Sequence, residues 1–274
     1  MTLSRIELDE YSSPAALAAR IHELDPNLPV NFSVEALALR LDISDIQITD
    51  TTAYEAAIVM DSLKASGAIL LSRSSSARRR RFSIGHELGH FLLPSHIAKS
   101  DHGFCCSAAD LRFADGKVRD RHRRMEAEAN RFAAELLMPP KRIRANLRSS
   151  DPDLTEVVRL ADDFNVSKAA MARSYIDAHR ATLALVVLRD GRLDQVYRPT
   201  GFPWIEPSIG DPVPSNSIAC EHGLEPRQVS SLEECNPETW VGPNAVRRVD
   251  VLSEQLLSQR EGYTMVLLFA ETKA

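Results

Sequence analysis

The chain has 274 residues, 44% of them hydrophobic and 26% charged, and a formal net charge of −5 at pH 7. This length allows one large domain or two modest ones, and the ordinary composition excludes a disordered chain, a collagen-like chain and a disulfide-rich miniprotein. The apolar runs are too short to span a bilayer, so no membrane segment is expected.

Two features predict a cytoplasmic protein. The first residues, MTLSRIELDEYSS, lack the apolar segment of a secretory signal. Four cysteines in a chain of this length point to a reducing compartment and not to a disulfide framework.

Positive charge is concentrated between Arg73 and Arg148, where 17 lysines and arginines face 8 acidic residues, a local excess of +9. The densest part is the run Arg78, Arg79, Arg80 and Arg81. Such a run could hold nucleic-acid phosphates, steer an acidic substrate segment, or form a solvated basic face. The sequence leaves these three interpretations open.

In chain order, the first 180 residues are predicted to form helices around a small sheet. The stretch 94–120 shows no regular hydrophobic pattern and is expected to be irregular. Hydrophobic periodicity and capping residues predict helices at 15–24, 34–41, 82–92, 121–138, 153–164 and 167–179, and strands at 46–49, 57–60 and 68–71.

The pattern changes near residue 180, where we place a boundary between domains 1–180 and 181–274. The C-terminal part predicts a hairpin of strands 183–188 and 193–197, a helix at 251–259 and a strand at 263–270. The fold class expected is α+β, with a small α/β domain at the C-terminal end.

Residues 86–90, His-Glu-Leu-Gly-His, form a motif that carries chemistry. On a helix, His86 and His90 share a face and can bind one ion. Glu87 can take a proton from a water molecule at that ion, and zinc (Zn2+) suits imidazole ligands. The alternative is a polar helix with two incidental histidines. Apolar flanks favour a core helix, and Gly89 predicts a close approach by a neighbouring element.

A third ligand is available on the predicted helix 121–138. Glu126 falls at the edge of its apolar face, where an acidic side chain is unusual unless it is paired or bound to a metal. The sequence therefore predicts zinc ligation by His86, His90 and Glu126. His96, His102 and His122 are each candidates for stabilising an oxyanion, and the sequence does not choose among them.

Two blocks, RFSIGHELGH at 81–90 and EAEANRFAAELLMP at 126–139, resemble the ImmA/IrrE family of zinc metallopeptidases over about residues 35–178. The segment ADDFNVS at 161–167 is similar to the helix-turn-helix-like part of that family. The resemblance implies a zincin-like domain, a helix-turn-helix-like segment at 150–180 and a C-terminal sensor-like region, in some members GAF-like. It also implies Glu126 as the acidic ligand.

The segment 104–110, Phe-Cys-Cys-Ser-Ala-Ala-Asp, offers a fourth ligand. A thiolate binds zinc strongly and would displace the catalytic water. The pattern resembles one found in some relatives, which favours Cys106 over Cys105 as an inhibitory ligand. The alternative is two ordinary buried thiols.

The resemblance also implies a function. Family members cleave a helix-turn-helix repressor and thereby induce stress or phage-related genes, and in a CapP-like branch, tied to antiphage operons, single-stranded DNA is a candidate activator. A zinc-binding protein that sequesters a repressor without cutting it is the alternative, and Glu87 favours the enzyme. A third interpretation, a DNA-binding transcription factor, rests only on the basic stretch 73–148 and on the predicted helix pair 153–164 and 167–179.

Overall fold

The computed structural model describes residues 3–97, 104–107, 120–221 and 225–273. Contacts divide the chain into two compact units, Met1–Arg142 with Asp162–Ser167, and Ile143–Ala161 with Lys168–Ala274. Both combine helices with a β-sheet, which confirms the α+β class. The domain boundary near residue 180 stays a prediction.

The first unit contains a four-stranded sheet in the order β1-β3-β2-β4. Its strands are β1 (Ile43–Thr49), β2 (Ala56–Met60), β3 (Gly67–Ser72) and β4 (Phe104–Cys106). The first pair, β1 and β3, is parallel, and β2 is antiparallel to both of its neighbours. The three predicted strands are confirmed, whereas β4 lies in a stretch for which no regular structure was expected.

Four longer helices of the first unit begin at side chains that accept a hydrogen bond from the first turn. They are α1 (Pro14–Leu24), α2 (Val34–Arg40), α3 (Ala77–Leu92) and α4 (Arg121–Leu137), capped by Ser13, Ser33, Ser76 and Asp120. A 3-10 helix at Arg5–Leu8 precedes them. The sequence missed α5 (Pro140–Ala145), because the proline pair that ends α4 also supplies a good first residue for the next helix.

The sheet of the second unit is antiparallel throughout, in the order β6-β5-β9-β8-β7. Its strands are β5 (Thr182–Arg189), β6 (Arg192–Tyr197), β7 (Glu233–Cys235), β8 (Val249–Ser258) and β9 (Tyr263–Thr272). The remaining helices of the described residues are α6 (Leu154–Asp163), α7 (Lys168–Ala178), the short α8 (Ile218–Glu221) and α9 (Pro243–Val246), and a 3-10 turn at Pro237–Thr239.

The helix predicted at 251–259 is wrong, because these residues form β8. Leu252, Leu256 and Leu257 have a spacing that also fits a helical face. In the strand both faces are buried, including those that carry Glu254 and Gln255, so the apolar and polar alternation of a half-exposed strand is absent. The C-terminal domain is consequently a β-sheet domain and not the expected α/β domain.

The predicted helix pair is present as α6 and α7, joined by a turn in which Asn165 has a φ of 53°. Within α7 the exposed residue is Asp177, so this helix does not present a row of polar side chains to a DNA groove. The helix-turn-helix-like description stays a prediction. Among the described residues, no helix combines the length and the apolar character that crossing a bilayer requires.

Candidate metal centre

The site is built where α3 crosses α4 at small residues. A Cβ atom placed on Gly89 would lie 3.0 Å from a ring carbon of Phe132 and 3.2 Å from the Ala129 Cα atom. One turn earlier, a Cβ atom on Gly85 would lie 3.3 Å from the Ala133 Cβ atom. The close approach predicted from Gly89 is therefore confirmed, and it brings the histidines of α3 next to the acidic side chains of α4.

Four predicted ligands converge at this crossing. The ligand atoms of His86, His90, Cys106 and Glu126 all lie within 4.8 Å of one another, and all four residues are buried. The two histidine Nε2 atoms are 3.0 Å apart, and the Glu126 carboxylate oxygens lie 3.1 Å from His86 Nε2 and 3.4 Å from His90 Nε2. The Cys106 Sγ atom, at the end of β4, is 3.8 Å from His90 Nε2.

The protonation pattern favours a cation at the centre of this group. The His86 Nδ1 atom lies 2.9 Å from Asn130 Oδ1; because an amide oxygen only accepts, Nδ1 carries the proton and Nε2 presents a lone pair. Both Glu126 carboxylate oxygens are buried without a hydrogen bond in the described part of the chain. Lone pairs that face one another in a buried space repel unless a metal ion lies between them, so this donor set fits zinc.

Burial sets the ionisation states of the cluster. It lowers the pKa of His90 to about 3, with the neighbouring His86 and His96 lowering it further against the effect of Glu126. At neutral pH His90 is thus neutral, which is the form that binds a metal.

A second layer of polar groups surrounds His90, and the sequence did not predict it. His96 Nδ1 is 3.0 Å from His90 Nδ1, and His96 Nε2 is 3.0 Å from Glu128 Oε2. The Lys64 ammonium donates to the His90 and Leu93 carbonyl oxygens at the C-terminal end of α3, where a cation also interacts favourably with the helix dipole.

The other predicted site residues have distinct environments. Glu87 is fully buried beside His86 on α3, and Cys105 is exposed whereas Cys106 is buried. His96 is fully buried, and His122, with 42% of its side chain exposed, has Nδ1 3.5 Å from a Glu126 oxygen. His102 lies outside the described residues.

All four arginines of the basic run have partners within the chain. Arg78 pairs with Asp162 and Arg79 with Glu55. Arg80 donates to the Ser75 carbonyl oxygen, and the mostly buried Arg81 donates to the Phe32 carbonyl oxygen. Nucleic-acid binding at this run stays a prediction, and it would have to replace several of these contacts.

Comparisons with known proteins agree with this geometry. A family model described as Peptidase_M78, IrrE N-terminal-like domain, matches residues 38–174. Curated protein sequences give no match. A solved structure, a Mycobacterium tuberculosis transcriptional regulator, superimposes with a TM-score of 0.54 at 13% identity and covers 96% of this chain and 78% of its own; at that identity the likeness concerns the fold. The matched residues span both α3 and α4, and the chain belongs to the Peptidase_M78 family, the group of ImmA/IrrE metallopeptidases.

Proposed function

We propose that this protein is a zinc endopeptidase that cleaves a helix-turn-helix repressor and thereby induces stress or phage-defence genes. The observation that carries the proposal is the convergence of His86, His90 and Glu126 on one buried point, with Glu87 next to the first ligand. A purely structural zinc site has no use for that additional carboxylate. Family membership supports the class of substrate.

Each residue has a separate role in the proposed reaction. His86, His90 and Glu126 would hold the metal, which when bound supplies a Lewis acid that polarises the scissile carbonyl and acidifies a water molecule. The Glu87 carboxylate accepts the proton of the attacking water and delivers it to the leaving amine. Asn130 orients His86 through the hydrogen bond at Nδ1.

Cys106 would be an inhibitory fourth ligand. Its Sγ atom already lies among the other ligand atoms, and thiolate ligation would displace the catalytic water. An activating signal would then shift the population toward a state with Cys106 withdrawn. Replacing Cys106 with Ala should raise basal cleavage, and unchanged basal cleavage would argue against this role.

The partners and the setting follow from the same proposal. The substrate would be a helix-turn-helix protein encoded by a neighbouring gene, cleaved in the cytoplasm. In the CapP-like interpretation single-stranded DNA is the activator and the C-terminal β-sheet domain is the sensor. The intramolecular partners of Arg78–Arg81 make these arginines a weaker DNA site than their sequence indicates.

The test compares wild-type protein with Glu87→Gln, using the helix-turn-helix protein of the neighbouring gene as substrate. The amide cannot take the proton of the water, so cleavage should fall by about 100-fold or more, while zinc content and binding of the substrate stay unchanged. Equal cleavage by Glu87→Gln would remove Glu87 from the mechanism. If neither protein cleaves the substrate but both bind it, sequestration without proteolysis replaces the proposal.

A further inference from the structure

We propose that His96 and Glu128 act as a positioning pair that fixes the tautomer and the ring orientation of His90 for metal binding. This inference rests on the zinc site of the proposed function and adds two residues that do not themselves ligate. It is carried by a continuous line of contacts from Glu128 Oε2 through both ring nitrogens of His96 to His90 Nδ1.

The Glu128 carboxylate, at one end of this line of contacts, determines the direction of each hydrogen bond. A carboxylate only accepts, so His96 Nε2 carries a proton and donates it to Glu128. The neutral His96 ring then has a lone pair at Nδ1, which accepts from the Nδ1–H group of His90. His90 is thereby left with a lone pair at Nε2, and this is the atom that faces His86 and Glu126.

The backbone and an aromatic ring hold both histidines in place. The helix α3 ends before Pro94, and the His96 amide donates to the Leu93 carbonyl oxygen, which turns the His96 side chain back onto His90. The His90 ring stacks on Phe104 with ring centroids 4.2 Å apart and an interplanar angle of 22°. His96 is fully buried, and both of its ring nitrogens are engaged by Glu128 and His90.

The helix α4 then organises three of the ligands, His86, His90 and Glu126. From α4, Glu126 provides the carboxylate ligand, Asn130 holds the Nδ1 atom of His86, and Glu128 holds that of His90 through His96. Each histidine ligand has its own outer partner, and outer partners of this kind typically change metal affinity by about 10- to 100-fold.

The experiment measures the zinc dissociation constant of the full chain by competition with a chromophoric chelator. His96→Leu and Glu128→Ala should each weaken zinc binding by about 10- to 100-fold. The double variant should be no weaker than His96→Leu, because Glu128 acts through His96. His96→Asn keeps an acceptor for the His90 N–H group and should recover part of the affinity.

Two control variants separate positioning from general damage. Glu135→Ala removes a partly exposed acidic side chain of the same helix, and His22→Leu removes a half-buried imidazole that contacts Leu136 near the C-terminal end of that helix. Both should keep wild-type zinc affinity and the wild-type visible spectrum of the Co2+-substituted protein, whereas His96→Leu should change that spectrum.

Three outcomes would overturn the inference. The first is an unchanged zinc affinity in Glu128→Ala, a variant that tests the pair even if His96→Leu fails to fold. The second is a loss of zinc affinity in the double variant that equals the sum of the two single losses. The third is a loss of zinc affinity in His22→Leu as large as that in His96→Leu. A wild-type protein that binds no zinc would instead overturn the proposed function itself, together with this inference.

Discussion

The two units each bury a carboxylate, but they surround it with opposite chemistry. In the second unit the fully buried Glu254 accepts hydrogen bonds from Ser217 Oγ at 2.7 Å, Trp240 Nε1 at 3.0 Å and the Ile218 amide at 3.0 Å. In the first unit Glu126 faces the lone pairs of two imidazoles and the Cys106 sulfur.

The difference shows how a functional cluster can be told from a structural one. A buried carboxylate that meets several donors is complete without a ligand, and it stabilises the packing of the elements around it. A cluster composed of acceptors is complete only with a cation.

The largest effect on stability is expected in the second unit. Glu254→Ala leaves the donors of Ser217, Trp240 and Ile218 without their acceptor in a buried core, which should cost about 3–5 kcal/mol of unfolding free energy. Denaturant unfolding checks this, with the exposed Glu271→Ala on β9 as control, expected within about 0.5 kcal/mol of wild type. A loss below about 1 kcal/mol for Glu254→Ala would show that these hydrogen bonds contribute little.

An intermediate effect is expected where the helices of the metal centre cross. In Gly89→Ala the new methyl group meets Phe132 and the Ala129 backbone, so α4 must move, at a cost of about 1–3 kcal/mol and with weaker zinc binding. In Gly85→Ala the new methyl group meets a more distant neighbour, so the loss of stability and of zinc affinity should be smaller. Gly201→Ala, with open space at its Cβ position, serves as the control; equal zinc affinity in all three variants would contradict this account.

The smallest effect on stability concerns His22, a half-buried histidine outside the metal centre. Burial lowers the pKa of His22 below 6.5, partly offset by its hydrogen bond to the Leu136 carbonyl oxygen. The unfolded imidazole therefore takes up a proton at higher pH than the folded one, and the stabilising contribution present at pH 7.5 is lost as the pH falls below 6.5.

A comparison of wild type with His22→Gln isolates this contribution. The amide keeps a donor for the Leu136 carbonyl oxygen but does not titrate, so the variant should lose less stability than wild type between pH 7.5 and 5.5. Urea unfolding at both values measures the difference. Identical pH dependence in the two proteins would show that His22 is not linked to stability.

Local sequence patterns predict the metal ligands at the centre of the site. The features that they do not predict depend on contacts between residues that are far apart in the sequence. The two histidines and Glu126 follow from helical spacing within α3 and α4, since periodicity places side chains on a face. The contact between His96 and Glu128 depends on how two elements 32 residues apart meet, and the β4 strand exists only through its pairing with β2. Neither leaves a periodic signal.

Buried polar residues explain why the helix predicted at 251–259 is wrong. The sequence of β8 predicts a helix because Glu254 and Gln255 occupy buried positions that usually hold apolar residues. Gln255 accepts from the Leu154 amide and donates to Asp153, and Glu254 has the partners described above. These compensating contacts are tertiary, so the pattern of hydrophobic residues could not reveal them.

The most direct test of the central claim is the metal content of the chain. Elemental analysis of protein purified without chelator should find about one zinc ion per chain in the wild type. The same analysis should find the ion retained in Glu254→Gln, where the altered cluster is structural, and lost when His86 and His90 are both replaced with Ala. A wild-type protein that is metal-free and takes up no added zinc, or zinc retained without the two histidines, would contradict the account.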